Sequence, residues 1–166
     1  SGRGPIEAAS MNIECGPDDI IFRCNLVTIT DNTMIDFTAD HISSEESTAL
    51  IDQLNHEFSN ESIRFIAGVS YRHIMIAPKQ FLNLTTIAPH DIIDQSVLDH
   101  WPHGNNQHPF KTIIERANKI LLKSSVNTKR IASGKKPATS IWPWSQGKIP
   151  VMEPFQKKYH KNERKR

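Results

Sequence analysis

Cysteine and long apolar runs are both scarce in this 166-residue sequence, and each scarcity argues against a class of protein. Cys15 and Cys24 are the only cysteines, and eight residues lie between them. That spacing matches neither the C-x-x-C motif of zinc and redox sites nor a disulfide-rich secreted framework. No apolar run approaches the ~18 residues of a membrane-spanning helix, and no charged-then-apolar leader is evident. We therefore expect a cytoplasmic protein with reduced thiols and no membrane partner.

The signature motifs of self-sufficient enzymes are missing as well. The sequence has no Gly-x-Ser-x-Gly nucleophile elbow, no phosphate-binding G-x-x-x-x-G-K-[ST] loop, no Rossmann glycine pattern and no H-E-x-x-H. His100, His103 and His108 crowd one segment, but no helical or turn spacing forces them to converge on a metal ion. The sequence therefore predicts no catalytic residue, metal ligand or cofactor within this chain itself.

Positive charge is concentrated at the C-terminal end. The net charge is +2, yet residues 157–166 hold six Lys or Arg and one acid, which leaves −3 for residues 1–156. A mildly acidic body lacks the basic face that nucleic-acid-binding domains need, so we expect no nucleic-acid partner. Residues 1–156 are predicted to form one domain, and residues 157–166 a basic tail or the boundary of a cloned fragment.

Hydrophobic patterning predicts a strand-rich first half. Residues 20–30 are apolar or β-branched at nearly every position, which is typical of a strand buried on both faces. The Asp-Asn pair that follows predicts a turn, so residues 34–37 should return as the second arm of a hairpin. Residues 63–76 predict a further strand with a bulge or bend at Gly68.

Two amphipathic helices complete the pattern. Ser43 and Glu46 form a capping box, which predicts a helix that begins there. A second helix is predicted over residues 109–123, and residues 77–108 between the strands and this helix should be irregular. The first helix presents one apolar stripe at helical spacing, formed by Leu50, Ile51, Leu54 and Phe58.

Residues 141–144 predict an edge strand or a connection that leaves the domain, because Pro143 cannot donate a ladder hydrogen bond. Strands that precede helices without regular alternation favour an α+β fold. We expect a two-layer sandwich in which helices cover one face of a small, mostly antiparallel sheet, as in ferredoxin-like domains.

Arginines occur where core or turn residues would be expected. Arg23 lies inside the first predicted strand, and an unpaired buried guanidinium costs several kcal/mol. Its planar fork fits a carboxylate or phosphate with two hydrogen bonds. Arg3, Arg72 and Arg130 occupy comparable positions. Each arginine could form a structural salt bridge, or the set could share one anion site.

His90 and Asp91 form an adjacent pair in the long irregular segment. A neighbouring carboxylate raises the basicity of a histidine and helps it to meet an anion or a proton near neutral pH. Local loop hydrogen bonding is the alternative. Trp142 and Trp144 could stack on a ligand, although tryptophans beside proline more often serve as apolar anchors.

Seven ordered segments make the sequence resemble the archaeal-type cofactor-independent phosphoglycerate mutases. The resemblance extends over nearly the whole chain to about Tyr159. One departure is Ser145, which stands where that family usually has glycine. The segments are GRGPIEAA at 2–9, IFRCNLVT at 21–28, GVSYRH at 68–73, PHDI at 89–92, VNxKR at 126–130, GKxPA at 134–138 and IWPWSQG at 141–147.

The resemblance implies that the chain is the substrate-binding cap domain inserted into an alkaline-phosphatase-like catalytic domain of the same polypeptide. That domain would supply a transiently phosphorylated serine and two divalent metals, which could be manganese, magnesium, cobalt or zinc. The insert would help hold a small phosphorylated acid while 3-phosphoglycerate and 2-phosphoglycerate interconvert. The expected substrate-binding residues are Arg3, Arg23, Asn25, Arg72, His73, His90, Asp91, Asn127 and Arg130.

Two alternatives remain open at this point. The chain could be the cap of a related metal-dependent phosphotransferase, such as a homoserine kinase-like enzyme. It could also be a non-catalytic anion-binding module.

Overall fold

The computed structural model describes residues 3–5 and 13–148, so the predicted basic tail at 157–166 lies outside the described residues. Short 3-10 turns at Lys79–Phe81 and Pro89–Asp91 interrupt the long connection that was predicted to be irregular. In chain order, the main elements are β1 Asp19–Thr30, β2 Thr33–Asp36, α1 Ser44–Glu57, β3 Arg64–Val69, β4 Arg72–Pro78, α2 Gln107–Lys123, α3 Ser125–Ala132 and β5 Ser140–Gly147.

The five strands form one antiparallel sheet built around β1. β4 and β5 both pair with β1, β3 pairs with β4, and β2 pairs with residues 28–30 at the end of β1. Without β2, the order β5-β1-β4-β3 with α1 and α2 as connections is the ferredoxin-like arrangement. The α+β prediction is confirmed, and β5 is the predicted edge strand.

One face of the sheet packs against the helices. Ile20, Phe22 and Leu26 alternate along β1 and lie in the main hydrophobic cluster with the apolar stripe of α1. The predicted capping box is present, because the Ser43 hydroxyl accepts from the Glu46 amide at 3.1 Å and the Glu46 carboxylate accepts from the Ser43 amide at 3.3 Å. Burial of this stripe is the main reason why α1 holds its place on the sheet.

Residues 63–76 form a hairpin rather than one continuous strand. Ser70 and Tyr71 make the turn, with Ser70 at a left-handed φ of 57°. The Ser70 hydroxyl donates to the Ile42 carbonyl at 2.7 Å, and its amide donates to the Ser44 hydroxyl at 2.9 Å. These contacts come from distant residues, so local patterning could not reveal the turn. The predicted bulge is present, since the β3–β4 register shifts between Ile66 and Val69.

Among the described residues, none of the helices α1, α2 and α3 contributes to the apolar cluster on the opposite face of the sheet. Ile21, Ile74 and Ile76 form a small apolar cluster there, against which Ile13 and Cys15 pack. Arg23, Asn25 and Arg72 lie further along the same face, because cross-strand partners in an antiparallel sheet share a face. We call this the open face. No helix of the described residues is long and apolar enough to cross a membrane.

Candidate anion-binding site

Strand pairing brings Arg23, Asn25 and Arg72 together on the open face. Asn25 is the direct partner of Arg72 across β1 and β4, and Arg23 is the partner of Trp144 across β1 and β5. The three side chains line two adjoining cavities of about 310 and 140 Å³. The two arginines are therefore placed to act on one ligand.

Each of these arginines stacks on an aromatic ring. The Arg23 guanidinium carbon lies 4.4 Å from the centre of the Trp144 ring, and that of Arg72 lies 4.7 Å from the Tyr71 ring. Stacking on an aromatic face restricts the orientation of a planar guanidinium group. No carboxylate among residues 3–5 and 13–148 forms an ion pair with the exposed Arg72. That position suits an external anion.

Asn25 connects the walls of the site. Its side chain is 5% exposed, accepts a hydrogen bond from the Trp144 indole at 3.0 Å and donates one to the Phe37 carbonyl at 3.0 Å. The same amide therefore fixes the ring that supports Arg23 and the backbone that follows β2.

His90 closes the aromatic side of the smaller cavity. Its ring packs edge-on against Phe37 at 5.8 Å and Trp144 at 5.6 Å, measured between centroids. Its Nε2 atom lies 3.7 Å from the Asp91 carboxylate, and both side chains are at least half exposed. His90 therefore lines the smaller cavity. Asp91 is not among the residues that line this cavity and contacts His90 instead.

Side chains of β5 hold the segment that carries His90. The Trp142 indole donates to the Ile87 carbonyl at 2.8 Å, and the Thr86 hydroxyl donates to the Gln146 side-chain oxygen at 2.8 Å. The Gln146 amide also donates to the Leu82 carbonyl at 3.1 Å. These bonds explain how an irregular segment presents His90 at a defined place.

His73 supports the hairpin and adds no charge to the site. It is 4% exposed, and its Nδ1 atom accepts from the Gly68 amide at 2.9 Å. Burial lowers the pKa of His73 from 6.5 to about 4, so the ring is neutral at pH 7. His73 therefore forms a structural hydrogen bond at the bulge as a neutral ring, and it also lines the larger cavity.

Arg130 and Asn127 were also predicted to bind substrate, but in the structure both side chains are buried and contact partners within the protein. Arg130 is 2% exposed and forms an ion pair with Glu46 at 2.8 Å. The Asn127 side chain is 3% exposed, donates to the Leu121 and Ala138 carbonyls at 2.8 and 2.9 Å, and accepts from the Ala138 amide at 2.8 Å. Both side chains thus form their hydrogen bonds within the protein. For Arg130 this arrangement corresponds to the structural salt bridge that the sequence left open as an alternative.

Arg3 lies beside the site in a tightly packed segment. Its amide donates to the Ser145 hydroxyl at 2.6 Å, and its side chain is exposed. Gly4 is buried, and a Cβ atom there would lie 2.6 Å from the Ile21 carbonyl oxygen and 3.0 Å from the Arg23 amide. Ser145 has a φ of 56°, which explains physically why glycine suits this position.

Phe37, Tyr71 and Trp144 belong to the site but were not predicted as site residues. Trp144 was interpreted mainly as an apolar anchor, which does describe the 1% exposed Trp142. Trp144 instead carries Arg23. The available signal was the Tyr-Arg dipeptide at 71 and 72, since an aromatic neighbour can support a guanidinium.

The fold and the neighbouring arginines define an α+β domain with a candidate cationic site. A family model described as 2,3-bisphosphoglycerate-independent phosphoglycerate mutase matches residues 1–127, and the chain belongs to this family.

Sequence relatives support this assignment, and a solved structure shares the fold. The chain is 45% identical to 2,3-bisphosphoglycerate-independent phosphoglycerate mutase 2 of Methanothermobacter thermautotrophicus, over 96% of this chain and 40% of that protein. It is 43% identical to the phosphoglycerate mutase of Methanosarcina acetivorans, over 98% of this chain and 41% of that protein. The cofactor-independent phosphoglycerate mutase of Thermoplasma acidophilum shares the fold, with a TM-score of 0.75 and 23% identity over 91% of this chain and 43% of that structure. The chain thus spans about 40% of the length of these curated relatives.

Proposed function

We propose that this chain is the substrate-binding insert domain of a phosphoglycerate mutase that interconverts 3-phosphoglycerate and 2-phosphoglycerate. The observation that carries the proposal is the pair of stacked arginines, Arg23 and Arg72, beside cavities of about 310 and 140 Å³. Family membership supports the choice of ligand, because a phosphoglycerate has one carboxylate and one phosphate for two guanidinium groups to bind.

The contribution of this domain is positioning. Two-pronged hydrogen bonds from a guanidinium fix both the place and the orientation of a carboxylate or phosphate. Orienting a substrate in this way can lower a reaction barrier by several kcal/mol. Closure of the open face over a catalytic domain of the same polypeptide would exclude water from the ligand.

We assign the chemical steps to that catalytic domain. Among residues 3–5 and 13–148, no group of three or more His, Cys, Asp or Glu side chains is placed to hold a metal ion. The donor set described here therefore does not fit the two divalent metals, whether manganese, magnesium, cobalt or zinc, that we propose for the complete enzyme. We also propose a cytoplasmic location and no nucleic-acid partner.

Calorimetric titration of the 166-residue chain tests the proposal. We expect 3-phosphoglycerate to bind weakly, yet more tightly than inorganic phosphate or glycerate alone, because it can engage both arginines. Arg72→Lys keeps the charge but loses the planar fork, so affinity should fall at least about tenfold. The matched control is Arg64→Lys, since Arg64 is exposed on β3 and donates to the Glu14 carbonyl.

Equal affinities for the three ligands would contradict a phosphoglycerate site. Equal effects of Arg72→Lys and Arg64→Lys would show that only general surface charge is involved. The chain supplied with manganese, cobalt or magnesium should show no mutase turnover, and sustained turnover after removal of contaminating mutase would contradict the assignment of the chemistry to another domain.

A further inference from the structure

A left-handed turn separates the aromatic wall of the site from helix α1. Ala39, Asp40 and His41 have consecutive φ values of 49°, 58° and 48°. Such a conformation costs roughly 1–2 kcal/mol per non-glycine residue, and alanine has no polar side chain to offset it locally. Ala39 is nevertheless fully buried. The surrounding protein must therefore stabilise this turn.

Part of that stabilisation comes from within the turn. The Asp36 carboxylate accepts from the Thr38 amide at 2.8 Å and from the Thr38 hydroxyl at 2.6 Å. The Thr38 hydroxyl in turn accepts from the His41 amide at 3.0 Å. These bonds satisfy donors near the start and end of the turn but leave its carbonyl groups to other partners.

Arg130 binds those carbonyl groups from outside the turn. Its Nη2 atom donates to the Ala39 carbonyl at 2.9 Å and approaches the Asp40 carbonyl at 3.4 Å. The same guanidinium donates to Glu46 at 2.8 Å and to the Lys136 carbonyl at 2.9 Å. One planar group thus fixes the turn relative to α1 and to the segment after α3.

The turn is connected directly to the anion-binding site through Phe37. The Phe37 carbonyl accepts from Asn25, and its ring contacts both Tyr71 and His90 at 5.8 Å. His41, at the far end of the turn, contacts the Tyr71 ring at 6.2 Å. Tyr71 is the ring on which Arg72 stacks.

We propose that Arg130 is a positioning residue of the anion site, which it shapes by holding the left-handed turn at residues 39–41 that orients Phe37 and Tyr71. Its role as a ligand contact is excluded by its burial, so the effect must pass through the turn. The functional consequence rests on the proposed phosphoglycerate site. The structural link from Arg130 to Asn25 and Tyr71 does not.

The experiment compares Arg130→Lys with the wild-type chain, first without ligand. Lysine keeps the charge beside Glu46 but cannot bind the Ala39 and Lys136 carbonyls together. We expect the NMR signals of the Asn25 side-chain amide and the Tyr71 ring to shift in the folded variant. With 3-phosphoglycerate, we expect about tenfold weaker binding, the size of one weakened charge-assisted hydrogen bond.

Arg116→Lys is the matched control, because Arg116 also bridges helices through carboxylates but contacts Glu57 and Glu61 instead of the turn. It should lower the melting temperature without moving the Asn25 and Tyr71 signals. Adding Ala39→Gly to Arg130→Lys should restore part of the affinity, since glycine adopts the left-handed conformation without cost.

Unchanged Asn25 and Tyr71 signals in folded Arg130→Lys would overturn the proposal, as would equal shifts in Arg116→Lys. If Arg130→Lys does not fold, Thr38→Val loosens the same turn from inside, and unchanged site signals in that variant would overturn the proposal by themselves. Absence of 3-phosphoglycerate binding by the wild-type chain would instead remove the proposed function, while the ligand-free signals still decide the positioning role.

Discussion

Arg72 and Arg130 were both predicted to bind substrate, yet the structure places them in opposite environments. Arg72 begins β4 on the open face, is exposed and stacks on Tyr71. Arg130 lies on α3, is 2% exposed, and binds Glu46 and backbone carbonyls. The two arginines differ in the source of their hydrogen-bond acceptors. A guanidinium group whose N–H donors are all bound within its own chain has none left for a substrate. Partners in space, rather than residue type, decide between structure and binding.

Replacing each arginine by methionine should separate the two roles most clearly. Arg130→Met leaves Glu46 and the Ala39 and Lys136 carbonyls without their donor, so the free energy of unfolding should fall by about 3 kcal/mol. Arg72→Met should change it by less than about 0.5 kcal/mol, as is usual for exposed positions, yet abolish measurable anion binding. Urea unfolding and calorimetric titration measure the two effects. If Arg72→Met greatly lowered stability but the folded protein still bound the anion normally, Arg72 would be a structural residue, contrary to this prediction.

Gly68→Ala should damage the open face without altering any charge. A Cβ atom at this position would clash with the Arg72 carbonyl oxygen, so the β3–β4 hairpin must shift. Overpacking of this kind costs about 1–3 kcal/mol, and the displaced Arg72 should bind phosphoglycerate poorly. Gly16→Ala is the control, because the nearest described atom to its Cβ would be an Asp19 carboxylate oxygen at 3.6 Å, which is an ordinary van der Waals contact. Equal unfolding midpoints for the two variants would show that the bulge does not constrain Arg72.

The pH dependence of stability should report His73. Burial lowers the pKa of His73 to about 4 in the folded chain against 6.5 for an exposed histidine, so the unfolded chain binds more protons between these values. The contribution of neutral His73 to the free energy of unfolding is therefore fully present above pH 6.5. It is lost as the pH falls towards 4, by up to about 1.4 kcal/mol per pH unit. Urea midpoints between pH 7 and 5, above most carboxylate titrations, measure it. His73→Asn should flatten the profile, whereas the exposed His108→Asn should not; parallel profiles would contradict a buried neutral ring.

Much of the fold could be predicted from the sequence because its signals are local. The apolar run of β1 and the Ser43–Glu46 capping box each depend on neighbouring residues, and both are present. The Ser70–Tyr71 turn escaped prediction because Ile42 and Ser44 stabilise it from a distance.

The site was predictable only in part, for a related reason. Arg23, Asn25, Arg72 and His90 do line its cavities. Glu46 was correctly recognised as a helix cap, but a capping carboxylate keeps further acceptor capacity, and the sequence does not show that Arg130 occupies it. The contact between Trp144 and Arg23 likewise depends on strand register, which hydrophobic patterning alone does not fix.

The smallest effect concerns the aromatic support of the open-face arginines. Trp144→Leu removes the ring beneath Arg23 and the indole donor to Asn25. A partly exposed cation–π contact contributes about 0.5–1 kcal/mol, so phosphoglycerate affinity should fall roughly two- to fivefold. Trp144→Phe keeps an aromatic face and should lose less.

The matched control for this effect is Trp101→Leu. Trp101 stacks on Trp142 at 4.8 Å and does not contact either site arginine, so its loss should lower the melting temperature without changing affinity. Titration of all three variants decides the question. If Trp144→Phe binds as weakly as Trp144→Leu, the indole bond to Asn25 rather than ring stacking supports Arg23. If neither variant binds less tightly than the wild-type chain, the aromatic support of Arg23 does not contribute to binding, and Arg72 alone accounts for the site.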